Sequence, residues 1–147
     1  MDTASRAPAA AETAELRLSA TGEEEALRLL AGAHVGRVSF THQALPTIRP
    51  VNHIVDGGRV ILRTRTGTAL AHQALNGAIV AYQADDVSAD SLTGWSVVLT
   101  GVATLVQDPD LIDRYRERLI PWIDKTADTF ISIRPGVVTG HRIVAAD

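Results

Sequence analysis

Apolar and polar positions change period several times along the chain, and those changes mark the elements. Around Leu27, Leu29 and Leu30 the spacing is helical. Thr21-Gly22-Glu23-Glu24 before it reads as a capping box, in which the Thr21 hydroxyl accepts from the Glu24 N–H and the Glu24 carboxylate returns to the Thr21 N–H. Glycines between Gly32 and Gly36 end this helix, and the period then falls to two. Val38-Ser39-Phe40 is a short strand, Thr47–Val55 a second and Arg59–Thr64 a third, the last two joined by a tight turn at Asp56-Gly57 or Gly57-Gly58. Pro50 cannot donate to a ladder, so it belongs at an edge, at a bulge or beside something other than a strand. Thr68–Leu75 reads as a helix stopped by Gly77. Ala78–Gln83 and Trp95–Val106 read as strands separated by an acidic loop from Asp85 to Thr93. Asp108-Pro109-Asp110 opens a helix that runs to Arg118, and Phe130–Ile133 and Val137–Val144 close the chain as strands. Residues 1–15, rich in Ala, Thr and Pro, read as a loosely attached tail, which leaves 16–147 as one domain. Six or more strands joined by short turns, with helices inserted singly, imply a mainly β member of the α+β class: an antiparallel barrel, six-stranded in the expected split-barrel form.

Composition narrows what such a barrel does. The 147 residues contain no cysteine, which removes disulfides, thiolate chemistry and cysteine-held metal clusters. No apolar run is long enough for a membrane span and the N-terminus lacks a secretory pattern, so a cytoplasmic protein is expected. Aromatic residues are only 4% of the chain, too few for a base-stacking platform, so neither nucleic acid nor membrane is an expected partner. The net charge of -3 is uneven: residues 1–25 hold six acids and two arginines, and the remainder holds 11 acids and 12 bases. Within residues 46–72, Arg49, Arg59, Arg63 and Arg65 face Asp56 alone, which suits an anion as well as it suits the wet face of a sheet.

Protein-borne catalysis finds little support. The five histidines form no metal-ligand spacing, no serine sits in a nucleophile elbow, and neither a dinucleotide fingerprint nor a P-loop is present. Metal is therefore not expected and no catalytic side chain is assigned. The positive lead is Arg63-Thr64-Arg65-Thr66-Gly67-Thr68, two arginines, three threonines and a glycine where a strand passes into a helix. That combination can cradle a phosphate, and it can equally be a solvated loop with a threonine cap.

A wider pattern surrounds this segment. Gly36-Arg37-Val38, then Pro46-x-Ile48-x-Pro50-Val51-Asn52-His53, Asp56-Gly57, Leu62-Arg63-Thr64-x-x-Gly67-Thr68, Gly94-Trp95-Ser96-Val97-x-x-x-Gly101 and Arg134-Pro135-x-x-Val138-Thr139-Gly140-x-Arg142 follow in order. Over about residues 16–144 the chain resembles the pyridoxamine 5'-phosphate oxidase-like family, the FMN-binding split-barrel proteins that include the nitroimidazole-resistance type. The resemblance implies a split barrel that forms a homodimer, with the cofactor in clefts between the subunits. It implies that Arg49, Pro50, Val51 and Asn52 run beside the flavin ring. Arg63, Thr64, Gly67 and Thr68, helped by Arg65, would hold the phosphate, while Trp95 and Ser96 reach the flavin from the partner and His141 and Arg142 lie at the cleft's edge. Relatives commonly carry a basic residue after the Gly-Thr pair, and here Ala69 stands instead. FMN is the implied cofactor, with deazaflavin or haem as alternatives. Two readings follow: an FMN-dependent oxidoreductase acting on a small organic molecule, or a non-catalytic split-barrel carrier or sensor.

Overall fold

The computed structural model describes residues 16–145, so the expectation of a loose tail over 1–15 lies outside the described residues. Seven strands and three helices follow in the order β1 (Leu16–Thr21), α1 (Glu23–Ala31), β2 (Val35–His42), β3 (Leu45–Asp56), β4 (Arg59–Thr64), α2 (Ala69–Ala74), β5 (Ala78–Val87), β6 (Gly94–Leu105), α3 (Pro109–Arg118) and β7 (Thr129–Ala145). The sheet order is β1-β7-β4-β3-β2-β5-β6, and a further β6–β7 pairing closes it. Six strands therefore form the ring. The unforeseen seventh, β1, pairs antiparallel with the C-terminal part of β7, Thr21 opposite Gly140.

The barrel interior is a single apolar cluster that includes Val38, Leu62, Val80, Tyr82, Leu99, Ile131 and Ile133. Alternation along β6 shows why the strands read clearly: Val97, Leu99 and Ala103 are fully buried, while Val98, Thr100 and Thr104 point outward. A second cluster of Ile61, Tyr115, Leu119 and Phe130 glues α3 to the outer side of β4 and β7. Asp56 reinforces this joint by accepting from the Tyr115 hydroxyl at 2.7 Å and from Arg114 at 2.8 Å. Those donors, the tyrosine first, hold the Asp56 carboxyl below its usual range.

Several expectations meet the structure directly. Gly57 and Gly58 make the β3–β4 turn with φ of 58° and 80°, the pair of left-handed residues that a two-residue hairpin turn requires. Asp108 caps α3 by accepting from Asp110 N at 2.9 Å, with Pro109 beginning the helix. The capping box at Thr21 does not form. Thr21 is drawn into β1, Gly22 is the N-cap without a side-chain bond, and the buried Thr21 Oγ1 has no hydrogen-bond partner among the described residues. The acidic loop is shorter than expected, because β5 continues through Asp85 and Asp86 to Val87. The two closing strands are one, since β7 runs through Pro135 with a register shift at Thr100/Gly101 where an ordinary strand would be interrupted. Gly101 permits the shift: any Cβ there would run into the backbone at Arg134.

Candidate functional site

The ring is incomplete on one side, and this gap creates the site. β3 pairs with β2 from Leu45 to Asn52, but with β4 only from Asn52 onward, so its first half has one free edge. The His53 N–H points toward the β2 side, where it reaches His34 O at 3.1 Å. Alternation then turns the backbone of Pro50 and Ile48 toward the free edge. Pro50 thus sits where its missing N–H deprives no strand of a bond, as the sequence required.

A cleft of about 440 Å³ opens between this edge, the end of β4 and the start of α2. Arg49, Pro50, Val51, Asn52, Arg63, Thr64, Arg65 and Thr68 all line it. Residues the sequence reading did not name join them: Phe40 from β2, Leu70 from α2, and Ile123 and Asp124 from the segment after α3. Ile123 and Asp124 carried no signal because that segment has neither helical nor strand periodicity. Trp95 and Ser96 lie elsewhere in the protomer. They sit on β6 opposite Asp86 and Asp85, and Trp95 lines a different hollow with Arg28, His34 and Trp122. Gly67 is also outside the first cleft and lines an adjacent one. His141 pairs with Ser96, and Arg142 bonds Glu25 at 2.8 Å, so neither lines the cleft.

The cationic and polar groups of the cleft divide into two sets. Arg63 is structural: its side chain is 9% exposed, its Nε donates to Ala127 O at 2.9 Å and Nη1 to Leu119 O at 2.7 Å, and the guanidinium lies 5.0 Å from the Phe130 ring centre. Asn52 is likewise occupied at both ends, accepting from Ile123 N at 3.0 Å and donating to His34 O at 3.4 Å. Together they fix the segment between α3 and β7 as a wall of the cleft. Arg49 and Arg65 remain for a ligand. Among the described residues Arg49 bonds only its neighbour's carbonyl, Ile48 O at 3.2 Å, and Arg65 pairs with Asp124 at 3.1 Å across the mouth. Asp124 is stabilised as a carboxylate, first by Thr126 and also by Arg65, so its pKa falls below the usual value. Thr68 Oγ1 accepts from Ala71 N at 3.2 Å, leaving its O–H free to donate.

A buried polar pair links β3 to β5. The His53 ring is 1% exposed, with Nε2 2.9 Å from Leu30 O and Nδ1 against the Tyr82 hydroxyl. Donation from Nε2 to the carbonyl leaves Nδ1 to accept from Tyr82, a fully satisfied neutral imidazole. Burial lowers the His53 pKa and raises that of Tyr82. Gly36 is required beside this pair, since a Cβ there would overlap the Tyr82 ring and approach Gln83 O to 2.7 Å.

The family model for pyridoxamine 5'-phosphate oxidase matches residues 22–142. The chain belongs to the pyridoxamine 5'-phosphate oxidase-like family. The uncharacterized protein Rv0080 of Mycobacterium tuberculosis is 52% identical over 126 residues, 83% of each chain. A proposed pyridoxamine 5'-phosphate oxidase from Corynebacterium glutamicum has a similar structure at a TM-score of 0.71 and 30% identity, over 88% of this chain and 96% of that one. The FAD binding protein of Mycobacterium smegmatis is similar at 0.66 and 28%, over 86% and 98%. The split-barrel fold expected from the motifs is thus the fold of the family.

Proposed function

We propose that the protein binds a flavin in the cleft beside the free edge of β3 and uses it as an oxidoreductase acting on a small organic molecule. The observation that carries this reading is the meeting of Arg49–Asn52 with Thr64, Arg65 and Thr68, two separate stretches of sequence, on one cleft. Family membership supports it, as does a relative that binds FAD.

The groups present fit a flavin. Arg49 and Arg65 offer guanidinium forks, and Thr64 and Thr68 offer hydroxyls, for a phosphate. Phe40, Val51, Leu70 and Ile123 supply an apolar wall for a ring and exclude water from it. With Arg63 tied to backbone carbonyls and Ala69 uncharged, phosphate recognition falls chiefly to Arg65. Its partner Asp124 must yield when the anion binds. A bound flavin would supply hydride or single-electron transfer, so no nucleophile is needed from the chain. FMN is the smallest ligand that uses these groups, and a deazaflavin phosphate would use them equally. Haem fits less well, because among the described residues no histidine, cysteine, methionine or tyrosine lines the cleft to ligate iron.

The same reading includes a homodimer. On the outward side of β3, β5, β6 and β7, Ile48, Ile79, Val98 and Val137 are 64%, 68%, 41% and 65% exposed. The β6–β7 register places Val98 beside Thr139, and Val137 beside Thr100, a patch of small and apolar residues. A second copy on this face would cover it, and could bring Trp95 and Ser96 to the neighbour's cleft.

One observation favours the carrier alternative. Among the described residues Asp124 is the only acid lining the cleft and is held ionised, so they place no proton donor of ordinary carboxylic strength there. Titration of the apoprotein with FMN, followed by addition of NADH or NADPH and an electron acceptor, separates the two. Quenched flavin fluorescence with sustained turnover supports the oxidoreductase. Binding without turnover supports the carrier, and absence of binding removes both.

A further inference from the structure

The chain has only two tryptophans, and both line one hollow of about 520 Å³ that shares no residue with the flavin cleft. Trp95 lies half-buried on β6 and packs against the barrel cluster, whereas Trp122 is 59% exposed in the segment after α3. That segment is fixed on both sides of Trp122: Asn52 Oδ1 accepts from Ile123 N at 3.0 Å, and Arg63 donates to Leu119 O at 2.7 Å. Among the described residues the two indoles make no ring contact with each other, so the hollow lies open between them. A large aromatic ring held in water by a pinned backbone marks a place for a ligand.

Charge decides which ligand. Asp86 stands directly opposite Trp95 in the β5–β6 ladder, which puts their Cβ atoms about 5 Å apart on one side of the sheet. The cations nearby are already engaged: Arg28 with Glu24 at 3.2 Å, Arg37 with Asp85 at 3.8 Å and Arg142 with Glu25 at 2.8 Å. Of the ionisable groups lining the hollow, this leaves the Asp86 carboxylate and the His34 imidazole without an ionic partner among the described residues. The last turn of α1, which also lines the hollow, adds the negative end of a helix dipole. Indole faces attract a cation through their quadrupole, and they offer no atom to coordinate a metal. Among the described residues no group of three or more His, Asp or Glu stands together to hold one either.

We infer that this hollow binds a small organic cation, an alkylated ammonium ion, between the indoles of Trp95 and Trp122 with Asp86 as its counter-ion. The site is separate from the flavin cleft and does not depend on the flavin reading. A quaternary nitrogen spreads its charge over methyl groups that pack against indole faces, and it needs no hydrogen-bond acceptor at fixed geometry.

The test is titration with choline, and with the neutral alcohol in which carbon replaces the choline nitrogen, at constant ionic strength. Tryptophan fluorescence is the readout, because every indole of the chain lines this hollow. Choline is expected to change the emission saturably and to bind the wild type roughly tenfold more tightly than the alcohol. Asp86→Asn is expected to lose roughly tenfold in choline affinity and to bind the alcohol as before. The Asp86 side chain is exposed and bonds no other described residue, so the variant keeps the fold, which thermal melting checks. Equal affinities of the wild type for the two compounds overturn the inference and leave an apolar hollow without charge preference. Emission that neither compound changes saturably overturns it as well, as does choline affinity unaltered in Asp86→Asn. The comparison of the two compounds on the wild type decides the matter even if the variant does not fold.

Discussion

Arg63 and Arg65 stand two residues apart and look alike in the sequence, yet the structure gives them different work, and substitution separates the two. In Arg63→Met the stem is kept and the donors are removed. Ala127 O and Leu119 O, at 2.9 Å and 2.7 Å from the guanidinium, then lose charge-assisted bonds, and the contact with Phe130 goes with them. Each such bond contributes about 1.5–3 kcal/mol, and bonds from one group are not additive, so a loss of roughly 3–4 kcal/mol is expected. For a chain of this size that lowers Tm by roughly 10 °C. Arg65→Ala breaks only a pair whose side chains are 63% and 42% exposed, so Tm should stay within about 3 °C while FMN affinity falls at least tenfold. The assay is thermal unfolding of the apoproteins at one fixed protein concentration, paired with flavin titration well below Tm. The reasoning is refuted if Arg63→Met melts like wild type and loses flavin binding, or if Arg65→Ala binds flavin normally.

Three further predictions rest on the packing. The neutral, buried His53 has a lowered pKa in the fold, so the unfolded chain takes up a proton there first. Stability should therefore fall as pH drops below the unfolded value of about 6.5, and denaturation of His53→Gln should show a shallower dependence over pH 5–7. Tyr82→Phe strands Nδ1 without a donor and should destabilise by about 1–3 kcal/mol in urea unfolding; a loss under 0.5 kcal/mol would mean the pair is dispensable. Val98→Arg on the exposed apolar face should convert a dimer to a monomer in light scattering and weaken FMN binding in parallel, whereas a monomeric wild type would end the dimer proposal.

What the sequence disclosed depended on whether local chemistry alone decides a feature. Gly57-Gly58 and Asp108-Pro109 acted as expected because a left-handed turn and a helix start are set by the residues themselves. β1 was missed because its pattern answers to a partner far along the chain. Leu18 is 66% exposed, and the strand exists through pairing with Gly140–Ala145. The β2–β3 turn was equally hidden. Gln43 and Ala44 adopt φ of 53° and 63° without a glycine or asparagine to announce it. Much of the cleft could be named in advance because its residues follow the family's motif order. The division of labour between Arg63 and Arg65 could not, because it depends on α3 and the segment after it arriving within reach of Arg63.

The proposed flavin position lies between the free edge of β3 and the loop after β4. Amide NMR of the 15.7 kDa chain, recorded before and after addition of FMN, tests it residue by residue. Shifts are expected to concentrate at Ile48, Arg49 and Val51 and from Thr64 to Leu70, with those of α3's first turn unmoved. Shifts confined to the hollow beside Arg28 and Trp122, or scattered over the surface with none at Thr64–Thr68, would contradict it.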